Sequence, residues 1–194
     1  MEVTDIVFGI LGNICAEDVA CLTEEADVSN HAALVPDGGK FEFSGVHFIR
    51  LGEEQGGILC VTKDAIYKDM FNEDWENNDY RSSIVRKKIT DEFISRLPST
   101  DLLPYTMDLK SYSNPEEGYG LCTDMAGILT EELYRKYRRF IHVDYWEWLC
   151  TPYSTSLENP WCRFVSTSGN VGYYGSDASN AFRCRPACIF KKII

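Results

Sequence analysis

The sequence predicts one α+β domain rich in antiparallel strands, and three observations support this prediction. The chain has 194 residues, a length typical of a single domain. Several stretches alternate polar and apolar residues, as half-buried strands do, and one stretch repeats apolar residues at helical spacing. The 44% hydrophobic share includes 13% aromatic residues, enough to form a core without metals or disulfides.

The first 36 residues predict an N-terminal arm packed on this domain. Residues 7–11 form a short apolar run that favours a strand, and residues 16–26 favour a short acidic helix. The Pro-Asp-Gly-Gly sequence at 36–39 is a strong turn signal. It separates the arm, residues 1–36, from the main domain predicted over residues 37–194.

A group of strands is predicted after this turn. Residues 40–44 and 46–51 alternate polar and apolar side chains, and residues 57–62 predict the strand that returns after a glycine-rich turn. Near the C-terminus, residues 182–190 predict the last strand.

Two helices are also predicted. Residues 84–97 place an apolar side chain at every fourth position, which gives the helix one apolar face: Val85, Ile89, Phe93 and Leu97. Asn78 or Asp79 is a suitable N-cap, and Pro98 ends the helix. The second helix is short, begins after Thr130, runs to about Arg138, and has Leu133 and Tyr137 facing inwards.

Composition argues against several classes of function. The net charge is −11, so phosphate backbones and anionic membranes are repelled and direct nucleic-acid binding is not expected. The acidic surface favours solubility and leaves open docking onto a basic partner. The N-terminal sequence has no signal-peptide pattern, and no long apolar stretch predicts a membrane span. These features predict reduced thiols and a cytoplasmic protein, located in the host cell or in the virion if it is phage-encoded.

Neither a metal, nor a cofactor, nor a catalytic residue is predicted. The eight Cys include no Cys-x-x-Cys pair, and the three His are scattered, so most Cys are expected to pack as small core residues. The acidic run at 72–79 lacks the register of a calcium loop. The sequence has no nucleophile elbow, zinc-protease, Walker or dinucleotide-binding motif. We therefore expect a protein that is not an enzyme.

Two pairs of residues at strand spacing admit both a structural and a binding interpretation. Trp146 and Trp148 share one face of a strand, which favours a packed core corner over a binding platform. Arg183 and Arg185 also share a face, and Arg185 is expected to be a buried arginine that ties loops together through carbonyls or a carboxylate.

The candidate ligand-binding residues lie in two segments, 153–163 and 170–181. Both segments are rich in Tyr, Ser, Gly and Asn, which is typical of adaptable binding loops but also of exposed turns. The candidates are Tyr153, Ser154, Asn159, Trp161, Arg163, Tyr173, Tyr174, Ser176, Asp177 and Asn180.

Several segments, in order, resemble a bacterial and phage domain family of unknown function. Residues 74–86 are similar to its loop and helix start, residues 145–152 to its Trp-Trp-Leu-Arg-Ser-Pro segment, and residues 183–187 to its Gly-Val-Arg-Pro-Ala close. The chain departs from these patterns at Glu147, which separates the tryptophans, and at Cys150 and Arg183, which replace an arginine and a glycine.

This resemblance extends to C-type-lectin-like folds of the formylglycine-generating-enzyme type. It implies a small twisted antiparallel sheet, one or two main helices and a loop-rich C-terminal half. It also implies that ligands meet the loops after the tryptophan segment.

Two functions remain open at this point. The first is a non-catalytic binding module of phage or bacterial origin that recognises a protein or a glycan through its C-terminal loops. The second is an acidic cytosolic phage inhibitor that blocks a host defence enzyme of the CRISPR type by protein–protein binding. Self-association also remains open.

Overall fold

The computed structural model describes residues 31–158, 160–176 and 182–192. Within these ranges the protein is α+β, with two five-stranded sheets, a two-stranded hairpin and three short α-helices. The α+β class is therefore confirmed. The predicted strand at 7–11 and the predicted helix at 16–26 lie outside the described residues.

The first sheet is antiparallel throughout and has the order β1-β2-β3-β12-β5. Its strands are β1 (Lys40–Phe43), β2 (Val46–Glu54), β3 (Gly57–Thr62), β5 (Leu102–Leu103) and β12 (Ala187–Phe190). Two-residue turns join β1 to β2 and β2 to β3. Both turn residues have positive φ in each case: Ser44 and Gly45, then Gln55 and Gly56. Hairpin turns of type I′ require this geometry, and the predicted group of strands is confirmed.

The second sheet has the order β10-β9-β8-β11-β4. Its strands are β4 (Tyr67–Lys68), β8 (Trp146–Pro152), β9 (Trp161–Val165), β10 (Val171–Gly175) and β11 (Phe182–Cys184). Strands β8 and β11 run parallel, and the other neighbours are antiparallel. A separate hairpin pairs β6 (Tyr105–Lys110) with β7 (Gly118–Asp124). The resemblance implies a small twisted antiparallel sheet, whereas the described strands divide between two five-stranded sheets and this hairpin.

The strand predicted over residues 182–190 is interrupted at Arg185 and Pro186. The part before them, β11, belongs to the second sheet, and the part after them, β12, belongs to the first. Proline has no N–H to donate to a strand ladder, so it suits a point where the chain leaves one sheet for the other. Cys184 and Cys188 consequently lie in different sheets.

The three described α-helices are α1 (His31–Leu34), α2 (Ile84–Lys88) and α3 (Glu131–Tyr137). Helix α2 continues as a π-helical turn, Ile89–Phe93, and a 3₁₀ turn, Ile94–Arg96, so the predicted helix before Pro98 is confirmed. The Ser83 hydroxyl caps α2, and Asp79 caps the preceding 3₁₀ turn, Tyr80–Ser82.

Helix α3 begins as predicted, because the Thr130 hydroxyl accepts a hydrogen bond from the Leu133 backbone N–H at 3.2 Å. Its inward side chains are Glu131, Tyr134 and Tyr137. Leu133, which was expected to face inwards, is only half-buried.

The tryptophan pair marks a core corner in the second sheet. Trp146 and Trp148 share one face of β8, and their rings lie 5.1 Å and 3.9 Å from the ring of Phe182. Trp148 is fully buried, and its indole N–H donates to the Asp69 carbonyl at 3.0 Å. Both expectations for this pair, the shared face and the packed corner, are confirmed.

Candidate functional site

Four aromatic side chains from separate parts of the chain meet on one side of the second sheet. We call this surface the aromatic face; it consists of Tyr112, Tyr153, Trp161 and Tyr173. The ring of Tyr153 lies 6.0 Å from that of Tyr112, 5.5 Å from that of Trp161 and 4.4 Å from that of Tyr173. Tyr112 is 50% exposed and Tyr173 is 47% exposed, so the cluster reaches solvent at both ends.

Strand register explains how Trp161 and Tyr173 come together. In the β9–β10 pair, Tyr173 lies opposite Arg163 and Gly175 lies opposite Trp161. Because Gly175 has no side chain, the space over Trp161 is open to its diagonal neighbour. Tyr173 fills that space, and the two rings stack at 4.9 Å with 12° between their planes.

Main-chain hydrogen bonds hold the other two tyrosines in place. The Tyr112 N–H donates to the Pro152 carbonyl at 3.0 Å, and the Ser113 N–H donates to the Tyr153 carbonyl at 2.8 Å. The Tyr153 N–H in turn donates to the Trp161 carbonyl at 2.8 Å. The β6–β7 connection, the end of β8 and the start of β9 are thereby joined edge to edge.

The buried side chain of Asn78 holds the end of β8 and the start of β9 together. Its buried amide donates to the carbonyls of Ser154 and Trp161, both at 2.8 Å, and accepts a hydrogen bond from the Tyr119 hydroxyl at 2.7 Å. Burial raises the pKa of Tyr119, which keeps its hydroxyl protonated as the donor. The acidic loop at 72–79 therefore contributes a buried support for the aromatic face.

A buried ion pair lies under the same face. Arg163 on β9 donates to Glu131 through Nε at 2.6 Å and through Nη2 at 3.1 Å, which links the strand to the first turn of α3. The Arg163 guanidinium carbon also lies 3.9 Å from the ring centroid of Tyr112. A carboxylate in the first turn of a helix is favoured by the helix dipole. Arg163 thus fixes Tyr112 and α3 relative to β9.

A cleft of about 530 Å³ adjoins Tyr112. Its walls include the first turn of α3 and the outer part of the β6–β7 hairpin, with Glu131, Arg135, Asp108 and Lys110 among the charged residues. Clefts of this size are common in ligand-binding sites. Positive and negative groups both line it, so it suits polar ligands without a large net charge.

The ten predicted ligand-binding residues fall into four sets. Tyr153, Trp161 and Tyr173 come together in the aromatic face. Tyr174, the next residue on β10, points to the other face, towards Trp146 and Phe182, and is 53% exposed. Asn159, Asp177 and Asn180 lie outside the described residues.

The remaining three candidates are buried and have partners inside the protein. Arg163 is bonded to Glu131. The Ser154 hydroxyl accepts from the Ser156 N–H, and the Ser176 hydroxyl donates to the Asp74 carbonyl, both at 3.0 Å. In the folded chain these side chains support the site from within and are not presented to solvent.

Tyr112 is the member of the aromatic face that sequence reasoning missed. It lies in a turn-rich stretch about forty positions before Tyr153. Its adjacency depends on long-range pairing between the hairpin connection and β8, for which a single sequence carries no local signal. The only indication was an aromatic residue within a polar turn.

The described cysteines do not form a reactive centre. Cys60, Cys122, Cys150, Cys162, Cys184 and Cys188 are all free and buried. Burial raises the pKa of every one of these thiols, to about 11 for Cys122. The nucleophilic thiolate is therefore suppressed, and the expectation that they pack as core residues is confirmed for these six.

Within residues 31–158, 160–176 and 182–192, no three His, Cys, Asp or Glu side chains come close enough together to hold a metal ion. No helix in the described part of the chain combines the length and apolar character needed to cross a membrane.

Comparison of the chain with protein-family models, with curated proteins and with solved structures found no match.

Proposed function

We propose that this protein is a non-catalytic binding module that recognises a protein or glycan partner through the aromatic face. The observation that supports this proposal is the cluster of Tyr112, Tyr153, Trp161 and Tyr173. Main-chain hydrogen bonds and the Asn78 amide hold its backbone in place, and the side chains of Tyr112 and Tyr173 are about half-exposed to solvent. Tyrosine and tryptophan offer a large apolar area with a polar group and little entropy to lose. They are the residue types that dominate binding energy at interfaces.

The finer assignment to a C-type-lectin-like fold is part of this proposal. The α+β class, the predominance of antiparallel strands and the short helices support it. The position of the aromatic face, at the end of the tryptophan-bearing strand β8, agrees with the ligand position that the resemblance implies.

The experiment uses a variant that loses two aromatic side chains of this face and keeps the buried side chains of Asn78 and Arg163. Trp161→Ala combined with Tyr173→Ala is compared with the unaltered protein on a glycan array and in pull-downs from lysates of candidate host bacteria. The double substitution should abolish capture of whichever ligand the unaltered protein binds, while circular dichroism stays unchanged. Leu121→Ala, which truncates another exposed apolar side chain on β7, is the control and should retain binding. Binding that survives the double substitution would contradict this assignment.

A second surface supports the alternative of an acidic inhibitor. Trp75 is 56% exposed and is flanked by the exposed acids Glu73, Asp74 and Glu76. An apolar anchor surrounded by negative charge is suited to a basic protein surface, and the net charge of −11 would speed encounter with such a partner.

The two surfaces are distinguished by one additional variant. Under the alternative, Trp75→Ala abolishes capture of a protein partner, Trp161→Ala with Tyr173→Ala does not, and raising the salt concentration weakens the complex. A complex that is insensitive to both salt and Trp75→Ala would eliminate the inhibitor hypothesis.

A further inference from the structure

A second cavity, of about 420 Å³, lies away from the aromatic face, between the first sheet and the segment that leads into β8. Arg185, at the crossing between the sheets, and Tyr145, just before β8, both line it. The buried-arginine prediction is confirmed here. The Arg185 side chain is fully buried, and its Nε and Nη2 donate to the two carboxylate oxygens of Glu147, both at 2.8 Å.

Among the described residues, the hydrogen bonds of Arg185 leave one of its nitrogens without a partner. A guanidinium has five N–H donors. Nε uses its one on Glu147, and Nη2 uses its two on Glu147 and on the Ile141 carbonyl at 2.8 Å. Nη1 is buried and has no hydrogen-bond partner among the residues that the structure describes. Two N–H groups of a fixed cation are therefore unsatisfied beside the cavity.

The hydroxyl of Tyr145 is in the same situation. It is buried and has no hydrogen-bond partner within the described part of the chain, although its ring is only half-buried and lies 4.6 Å from the Arg183 guanidinium carbon. Buried polar groups are rarely left without hydrogen bonds, because each one loses its water without replacement. Arg185 and Tyr145 therefore each bring a donor with no partner among the described residues to the cavity that they both line.

We propose that this cavity binds a carboxylate group, whose oxygens accept hydrogen bonds from Arg185 Nη1 and the Tyr145 hydroxyl. The guanidinium can only donate, so the ligand atom that meets it is an acceptor. Lys40 and Lys63 on the rim add positive charge.

The acids of the same cavity limit the charge of the ligand. Asp64 and Asp144 also line it, and Lys63 lies 3.7 Å from Asp64. Glu147 already neutralises part of Arg185. A group with one negative charge therefore suits the cavity better than a doubly charged phosphate.

The experiment is an NMR titration of the ¹⁵N-labelled protein in which the Arg185 Nε–H signal is followed at constant ionic strength. The probes are acetate, inorganic phosphate and acetamide, the last an uncharged analogue of acetate. Acetate should shift the signal saturably and bind more tightly than phosphate, and acetamide should bind far more weakly. Acetyl-dialanine, with a free carboxylate, then shows whether a peptide terminus or a small organic acid is preferred.

Tyr145→Phe tests the geometry, because it keeps the ring and removes only the hydroxyl. Loss of a hydrogen bond to a charged group should raise the Kd for acetate by about tenfold or more. Tyr174→Phe, which removes an exposed hydroxyl elsewhere, should leave that Kd unchanged. If Tyr145→Phe does not fold, Lys40→Gln changes an exposed side chain instead and should raise the Kd about two- to fivefold.

Four outcomes would contradict carboxylate binding in this cavity, and none of them depends on the aromatic face. No saturable acetate shift, equal binding of acetamide, tighter binding of phosphate, or an unchanged Kd in the variants would each overturn it. In the first case the unpartnered donors would hold water. Trp161→Ala with Tyr173→Ala should retain acetate binding even though it abolishes partner capture. The experiments therefore test the two proposals separately.

Discussion

At the scale of single residues, the buried amide of Asn78 positions the backbone of the aromatic face without itself being exposed. Its donors satisfy two carbonyls of the 153–161 segment, and its oxygen accepts from Tyr119. Asn78→Ala would remove three hydrogen bonds, those to the Ser154 carbonyl, to the Tyr119 hydroxyl and to the Trp161 carbonyl, of which the last keeps the Tyr153 N–H as a donor. We expect it to lower the free energy of unfolding by about 2–3 kcal/mol, measured by urea denaturation.

Two further variants identify the cause of that loss. Asn78→Asp is nearly isosteric and keeps an acceptor for Tyr119, but it cannot donate to the carbonyls of Ser154 and Trp161, so it should be destabilising as well. Asn77→Ala is the neighbouring control. That side chain is half-exposed and donates to Ser82, so its loss should cost less than about 1 kcal/mol. Equal losses for Asn77→Ala and Asn78→Ala would show that Asn78 has no special role.

At the scale of elements, the ion pair of Arg163 and Glu131 joins β9 to α3. Arg163→Met would leave the Glu131 carboxylate buried with only Arg135, which donates to it at 2.8 Å. Breaking one partner of a buried pair typically costs about 3–5 kcal/mol. We expect a loss at the lower end of that range, because Arg135 remains, and chemical denaturation would measure it.

A double-mutant cycle checks that the loss of stability comes from the Glu131 carboxylate left buried without Arg163. Glu131→Gln combined with Arg163→Met should be less destabilising than the sum of the two single substitutions. Arg135→Met is the control at the exposed end of the same network and should cost no more than about 1 kcal/mol. Additive losses in the cycle would mean that the pair is not coupled.

Elements defined by local pattern were the predictable part of this fold. The helix at 84–97 follows from apolar spacing and Pro98, and the start of α3 follows from the Thr130 cap. The two sheets were not predictable, because residues 182–190 have one continuous strand pattern and only Pro186 marks the crossing between the sheets. Strand composition specifies that a segment is extended but not which sheet it joins.

The candidate site was predictable to the same limited degree. Tyr153, Trp161 and Tyr173 were found because they lie in segments with binding-loop composition. Arg163 was chosen by the same criterion, but its position on β9 points it towards Glu131, 32 positions earlier in the chain. Composition identifies which segments carry surface chemistry, whereas long-range contacts decide which side chains of those segments face outwards.

At the scale of the whole molecule, protonated groups are distributed through one continuous core. The six buried thiols come from both sheets and from the β6–β7 hairpin, and burial raises the pKa of each of them. Burial likewise raises the pKa of the fully buried Tyr80 and Tyr105. Ionisation of any of these groups is therefore disfavoured in the folded core.

This arrangement predicts that the protein loses stability in mild alkali. In the unfolded chain the thiols have a pKa of about 8.5, whereas in the folded protein they stay protonated at that pH. Above that pH the unfolded state binds fewer protons than the folded state, so stability falls as pH rises, by up to about 1.4 kcal/mol per pH unit for each thiol. The Tm measured by circular dichroism should therefore fall only slightly from pH 7 to pH 8 and steeply between pH 8.5 and pH 9.5, below the range in which lysines titrate. Cys150→Ala with Cys188→Ala removes two of these groups and should make the decline shallower; a Tm that stays level to pH 9.5 in the unaltered protein would show that the buried thiols do not control it.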